Sequence, residues 1–393
     1  MSAQRKQGHP GRSKAKPPVA DAAASSPHGD YTVQGRGIRT LPKVSLHDHL
    51  DGGVRPATVL ELARAAGVEL PADDLGSLTV WFSTESENRS LVEYLKRFDL
   101  VVAVMQTADQ LRRIAREFVE DLVADGVVYA EVRWAPEQHV AGGLSLDEAV
   151  AAVQAGIDEA EAAAERAGAS IRVGQLVSAM RHTERSLEIA ELAVRHRGRG
   201  VVGFDIAGPE DGFSPARLRE AFDYLAAHFF PVTVHAGEAA GLDSIRSALL
   251  DGRALRLGHG VRLAEDLELI ARSDDTASVQ MGEVATWVRD REIVLELAVT
   301  SNVQTEAFAQ WGTELADHPF DLLYQLGFAV TVNVDNRTMS ATSLTRELSQ
   351  LVETFDYDLA DLEAFQLNAA AGAFLSVEER EELIEIIAEG FAD

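Results

Sequence analysis

The stretch Lys43-Val44-Ser45-Leu46-His47-Asp48-His49-Leu50-Asp51-Gly52 organises the reading of the whole chain. Successive side chains on a strand point to opposite faces, so His47 and His49 project from the same one. Two neutral imidazoles on one face can give a single metal ion two nitrogen ligands at about 2.0–2.1 Å. Taken alone, a His-x-His is a weak sign, because any histidine-bearing strand can carry one. It gains weight if the other parts of a site arrive in order at the ends of further strands.

Seven more apolar, β-branched runs follow Val44–His47: Val127–Trp134, Ile171–Ala179, Val201–Ile206, Val232–His235, Ala254–Leu257, Ile293–Val299 and Ala329–Val334. Longer helical patterns separate them, which is the signature of repeated βα units. Ser145-Leu-Asp-Glu148, Ser376-Val-Glu-Glu379 and Ser90-Leu-Val-Glu93 read as capping boxes that start helices. Eight strands alternating with helices predict an α/β protein, a (β/α)8 TIM barrel. One interval is long. Between the first and second strands, residues 52–126 carry three helical patterns (Thr58–Ala66, Ser90–Met105, Thr107–Ala124) and are expected to form a helical lid over the C-terminal mouth. Helices from Ser343 to Phe391 complete the outer layer.

The chemistry-bearing residues sit where these strands end. His235-Ala-Gly-Glu238 closes the fifth: the imidazole can join His47 and His49, and Gly237 lets the chain turn and carry Glu238 over the same place. A carboxylic acid beside a metal-held water suits general acid–base chemistry. Gly258-His259-Gly260 closes the sixth strand and Asn333-Val334-Asp335-Asn336 the eighth, where Asp335 would complete a His/His/His/Asp set. Each has a plain structural reading too: a strand-ending His, a turn His bonded to backbone, an Asx turn. Joint position decides, because independent structural accidents do not predict convergence at one mouth of a barrel.

Composition bounds the alternatives. The chain has 393 residues, 46% of them hydrophobic and 25% charged, with no cysteine. Disulfides, a thiol nucleophile and the zinc-deaminase design that relies on Cys ligands are therefore excluded. Residues 1–40 hold seven Lys and Arg against two Asp, so this tail carries +5 and the remainder −32 of the net −27. The tail is rich in Pro, Gly, Ser and Ala and is expected to be a disordered extension ahead of a single domain at 41–393. It has no apolar stretch of the signal-peptide kind and no run in the chain is long enough to span a bilayer, so a cytoplasmic protein is expected. So acidic a body repels phosphate backbones, which argues against nucleic acid as a partner.

Six motifs in order, His-x-His-Leu-Asp-Gly at 47–52, Gly-Phe-Asp-Ile-Ala-Gly at 203–208, His-Ala-Gly-Glu at 235–238, Gly-His-Gly at 258–260, Thr-Ser-Asn at 300–302 and Val-Asp-Asn at 334–336, closely resemble those of the adenosine deaminase family. The resemblance runs from about Leu41 to the C-terminus. It implies hydrolytic deamination of adenosine and 2′-deoxyadenosine to inosine forms and ammonia, with a zinc-bound water attacking C6 and Glu238 protonating N1. It further implies that His47, His49, His235 and Asp335 hold one Zn2+, or another divalent transition metal, and that His259 takes or orients the proton of the water. Asp51 and His49 would contact the ribose hydroxyls, and Gly208 would donate its backbone N–H to ring N3. Where the family usually has Asp-Asp at the eighth strand end, this chain has Asp335-Asn336, and the Asn336 amide can donate to N7 at every pH. Where it commonly has Cys-Pro before Thr-Ser-Asn, this chain has Ala298-Val299. Other readings stay open: a deaminase of adenine, of aminofutalosine or of an N6-substituted adenylate, or a catalytically silent binding relative. The expected partner is a small purine nucleoside, and the chain a monomer or small homo-oligomer.

Overall fold

A computed structural model describes residues 2–4, 31–83, 91–272 and 276–392. Each β-branched run has become a parallel strand, with ends within two residues of those expected. They are β1 (Lys43–His49), β2 (Val127–Trp134), β3 (Arg172–Met180), β4 (Val201–Ala207), β5 (Thr233–Ala236), β6 (Arg256–His259), β7 (Val294–Leu297) and β8 (Val330–Val332). β1 to β4 pair in order as one parallel set and β5 to β8 as another. Two bridges join the sets into a ring, Phe204 with Val232 and Asp48 with Asp335. At the second, the Asp335 N–H donates to His47 O at 3.0 Å and the His49 N–H to Asp335 O at 2.8 Å. Asn333 staples the same seam. Its Oδ1 accepts from the N–H groups of Leu46 and His47 at 3.2 and 3.1 Å, and its Nδ2 donates to Leu297 O at 3.3 Å.

The interval after β1 holds four helices, α1 (Pro56–Ala66), α2 (Leu75–Ser83), α3 (Leu91–Ala103) and α4 (Ala108–Ala124). α2 was not legible in the pattern. Capping boxes stand at Ser145 and Ser376 as expected, and a further one at Thr107 uses Gln110 in place of Glu. The one expected at Ser90–Glu93 lies outside the residues whose side chains are described. β7 stops at Leu297, before the expected Val299, and Val299–Gln304 forms a short helix. The buried Glu347 carboxylate draws the chain out of the sheet by accepting the Thr300 N–H at 3.1 Å. A hairpin of Leu267–Arg272 and Thr276–Met281, also unanticipated, follows β6, and Ser2–Gln4 pairs with its second strand.

Residues 31–40, counted with the tail in the sequence, belong to the folded body. Thr32–Val33 pairs with Arg36–Gly37, Ile38 is buried, and the Arg36 guanidinium donates to the carbonyls of Gly390 and Phe391. Upstream, Ser2–Gln4 is strand-paired where disorder was expected, and the remainder of the expected disorder falls outside the described residues. Among the described residues, no helix is long and apolar enough to cross a membrane.

The barrel interior is ionic below the mouth. Arg133 lies 3.0 Å from Asp205 and 2.6 Å from Glu296, and Arg256 lies 2.7 Å from Glu296 and also pairs with Glu131. All five side chains are within about a hundredth of complete burial. Charges removed from water persist only when paired and hydrogen-bonded on every side. Here Thr233 also donates to Glu296 and Tyr129 to Glu131, while the Arg256 guanidinium lies 3.6 Å from the Phe374 ring centre. Replacing Arg256 with Leu strands two buried carboxylates. Urea denaturation should show a loss of about 3–5 kcal/mol, and an unchanged midpoint would contradict this account of the core.

Candidate active site

At the C-terminal mouth, β1 presents His47 and His49, β5 presents His235, β6 ends in His259, and Asp335 follows β8. His47 Nε2 and His49 Nε2 lie 3.3 and 3.2 Å from Asp335 Oδ1, and His49 Nε2 lies 3.3 Å from His235 Nε2. Ligand atoms held about 2.1 Å from one ion stand roughly 3.0–3.4 Å apart for angles between 90° and tetrahedral. The observed separations fit that range. His47 Nε2 is moreover buried with no hydrogen-bond partner, the condition of an atom whose intended partner is an ion. A second grouping by distance alone exchanges His49 for His259: His47, His235, His259 and Asp335 bring ligand atoms within 4.8 Å of one another.

Two carboxylates behind the cluster set which ring nitrogen faces inward. His47 Nδ1 lies 3.0 Å from Glu296 Oε2, and His235 Nδ1 lies 2.8 Å from Asp205 Oδ2. Burial works to raise both acids, but His235 and Arg133 hold Asp205 below its usual range, and Arg133 and Arg256 hold Glu296 well below it. An ionised carboxylate only accepts, so both Nδ1 atoms carry the proton and both Nε2 lone pairs point at the ion position. Burial lowers the proton affinity of His47, and of His235 to a pKa of about 3, which leaves both rings neutral. Asp335 is fixed from behind by the Ser301 hydroxyl, which donates to Oδ2 at 2.6 Å. Its backbone is left-handed (φ 57°), as is that of His259 (φ 62°). Non-glycine residues held there cost free energy and concentrate at functional sites.

Glu238 is positioned by its own turn. The Glu210 carboxylate accepts four consecutive N–H groups, from Gly237 (2.7 Å), Glu238 (3.1 Å), Ala239 (2.7 Å) and Ala240 (3.0 Å). The Arg181 guanidinium donates to His235 O at 2.6 Å from the other side. Gly237 takes φ 78°, where an added Cβ would run into Ile245. The Glu238 carboxyl then reaches to 3.4 Å from His259 Nε2 and accepts from Thr305 Oγ1 at 2.9 Å. Burial raises its pKa, and the nearby Asp335 and Glu210 add to the rise.

A family model described as adenosine deaminase matches residues 42–390. The chain belongs to the adenosine deaminase family. It is 52% identical to an adenosine deaminase of Mycolicibacterium vanbaalenii over 349 residues, 88% of this chain and 94% of that one. Among solved structures it resembles the Arabidopsis N6-mAMP deaminase, with a TM-score of 0.75 and 28% identity over 90% of this chain and 99% of that one. A Burkholderia ambifaria amidohydrolase with bound Zn shares the fold at a TM-score of 0.77 and 24% identity, covering 90% and 91% of the two chains. These neighbours agree with the eight-stranded ring.

Of the remaining residues implied by the family motifs, Asp51 and Asn336 adjoin the cluster. Asp51 is buried, with Oδ1 3.9 Å from His49 Nδ1. Asn336 is buried against Gly52, where any side chain on the glycine would overlap the amide. Gly208 stands apart at the end of β4, at φ 94° and beside His182. Sequence reasoning missed Asp205, Glu210, Glu296, Ser301, Asn302 and Thr305 as supports. Glu296 and Asp205 did leave a signal, since a lone acid inside an apolar parallel strand has no solvent to face and must have a partner. Asp205→Asn should lower zinc affinity about 10–100-fold, read by competition with a chromogenic chelator. Wild-type affinity in that variant would remove the carboxylate from the site.

Proposed function

We propose that this chain hydrolyses the 6-amino group of adenosine and 2′-deoxyadenosine, giving the 6-oxo nucleoside and ammonia. The observation that carries the reading is Glu238: a carboxyl only about a fifth exposed, with raised proton affinity, clamped by its turn beside four side chains that could hold a metal ion. The carbon bearing the amino group is a poor electrophile until ring N1 takes a proton. A carboxyl whose proton affinity is raised above the usual carboxylate range is better suited to deliver one there. His47, His49, His235 and Asp335 would hold one divalent ion, and three imidazoles with a carboxylate suit zinc while also accepting Fe, Co or Ni. Bound there, the ion would supply Lewis acidity that lowers the pKa of a water from 15.7 to about 7. His259 faces the same space and would orient the oxygen arriving at C6. Asp51 and His49 would receive the ribose hydroxyls, the Gly208 N–H ring N3, and the Asn336 amide would donate to N7.

A nucleoside is favoured over its monophosphate. The Arg181 guanidinium is bonded to the carbonyls of His235 and Phe213, and Arg337 pairs through Nε with Asp48, so these two cations by the strand ends already have partners in the protein. A phosphate site requires a cation free to pair with it. Glu238→Gln should reduce adenosine turnover about 10²–10⁴-fold while zinc content stays that of the wild type. Adenosine should be consumed in preference to adenine and adenosine 5′-monophosphate in an absorbance assay, and a chelator should abolish the reaction. Wild-type turnover in the variant removes Glu238 from its role, and preference for the monophosphate overturns the substrate.

A further inference from the structure

His259 at the mouth is wired oppositely to His47 and His235, and the wiring can be traced to a main-chain group. The Phe320 N–H donates to His318 Nδ1 at 3.0 Å. A backbone amide is an unambiguous donor, so this nitrogen is an acceptor and the proton of the neutral ring is on Nε2. His318 stays neutral. It is buried, with its ring edge-on to Phe308, and burial lowers its pKa to about 3. Its Nε2 lies 3.2 Å from Asn302 Oδ1, and Asn302 Nδ2 lies 3.0 Å from His259 Nδ1. A donor on His318 must meet the amide oxygen, which turns the Asn302 NH2 toward His259. His259 Nδ1 therefore accepts, and Nε2 carries the proton.

We propose that Phe320 N–H, His318 and Asn302 form a directional hydrogen-bond relay that fixes His259 as an Nε2–H donor at the reacting centre. The same relay decides the metal set. A nitrogen that carries a proton has no lone pair to give, so His259 stands beside the ion and His49 takes the fourth protein position. The contrast is chemical: acids that accept lie behind His47 and His235, and an amide that donates lies behind His259. Asn302 and His318 are positioning residues, acting on the reaction only through His259. The relay's part in deamination rests on the function proposed above, but its proton positions do not.

The test is ¹⁵N NMR of histidine-labelled protein, as purified and with zinc added, with the His259 signals assigned by their loss in His259→Gln. Wild-type His259 should show a pyridine-type Nδ1 and a pyrrole-type Nε2. Asn302→Asp keeps the shape but substitutes an acceptor, so it should reverse that pattern and lower turnover about 10²-fold or more. A pyrrole-type Nδ1 in the wild type overturns the relay, as does an unreversed pattern in folded Asn302→Asp. Should the variant fail to fold, the wild-type spectrum decides alone. Correct wild-type proton positions in a protein that leaves adenosine untouched would instead refute the proposed function and leave the relay standing.

Discussion

Two main-chain hydrogen bonds at the seam between β1 and β8 underlie everything at the mouth. Asp335 donates to His47 and accepts from His49, so the residue that closes the ring lies between the two histidines of the first strand. Pairing that completes a barrel is needed for the fold whatever the protein does. Here it also sets the spacing of a carboxylate and two imidazoles, without any loop having to find its place. Asn333 reinforces the join by bonding to β1 and β7 from one side chain. Sites carried on regular elements hold their geometry more tightly than sites on loops.

Beneath the seam, the ionic interior makes the site's protonation states a property of the core. Arg133 touches both Asp205 and Glu296, and each of those acids stands behind a different histidine. One guanidinium thus keeps two carboxylates ionised; they hold the proton of each imidazole on Nδ1 with the lone pair inward, while burial keeps both rings neutral. Such burial is costly in desolvation, and an apolar core of equal volume would serve stability as well or better. Orientation of ring nitrogens is what the apolar alternative could not provide.

The same logic explains the uneven backbone. Asp335 and His259 adopt left-handed conformations, and the Glu238 turn gathers four N–H groups onto one carboxylate. These are costs that an unconstrained loop would relax. They persist because Ser301 and Asn302 on the helix after β7, Glu210 after β4 and Arg181 after β3 each bond to the segment concerned. Every support is distant in sequence from the residue it serves. Activity at this mouth depends on the closure of the whole ring.

The sequence by itself determined the alternation of eight β-branched runs with helices, and from their ends the convergence of His47, His49, His235, Glu238, His259 and Asp335. Periodicity and capping are local, so they can be read from neighbours in the chain. It did not reveal the helix Leu75–Ser83, the hairpin after β6 or the early end of β7, where burial and one buried carboxylate override local preference. Nor could it assign partners to Asp205, Glu210, Glu296 or Asn302. Which nitrogen of a histidine carries its proton depends on what lies behind the ring, and what lies behind each of these rings comes from another strand or loop. Only the closed barrel brings those groups within hydrogen-bonding distance, so the chemistry of the ligands was decided by tertiary structure while their identity was written in the chain.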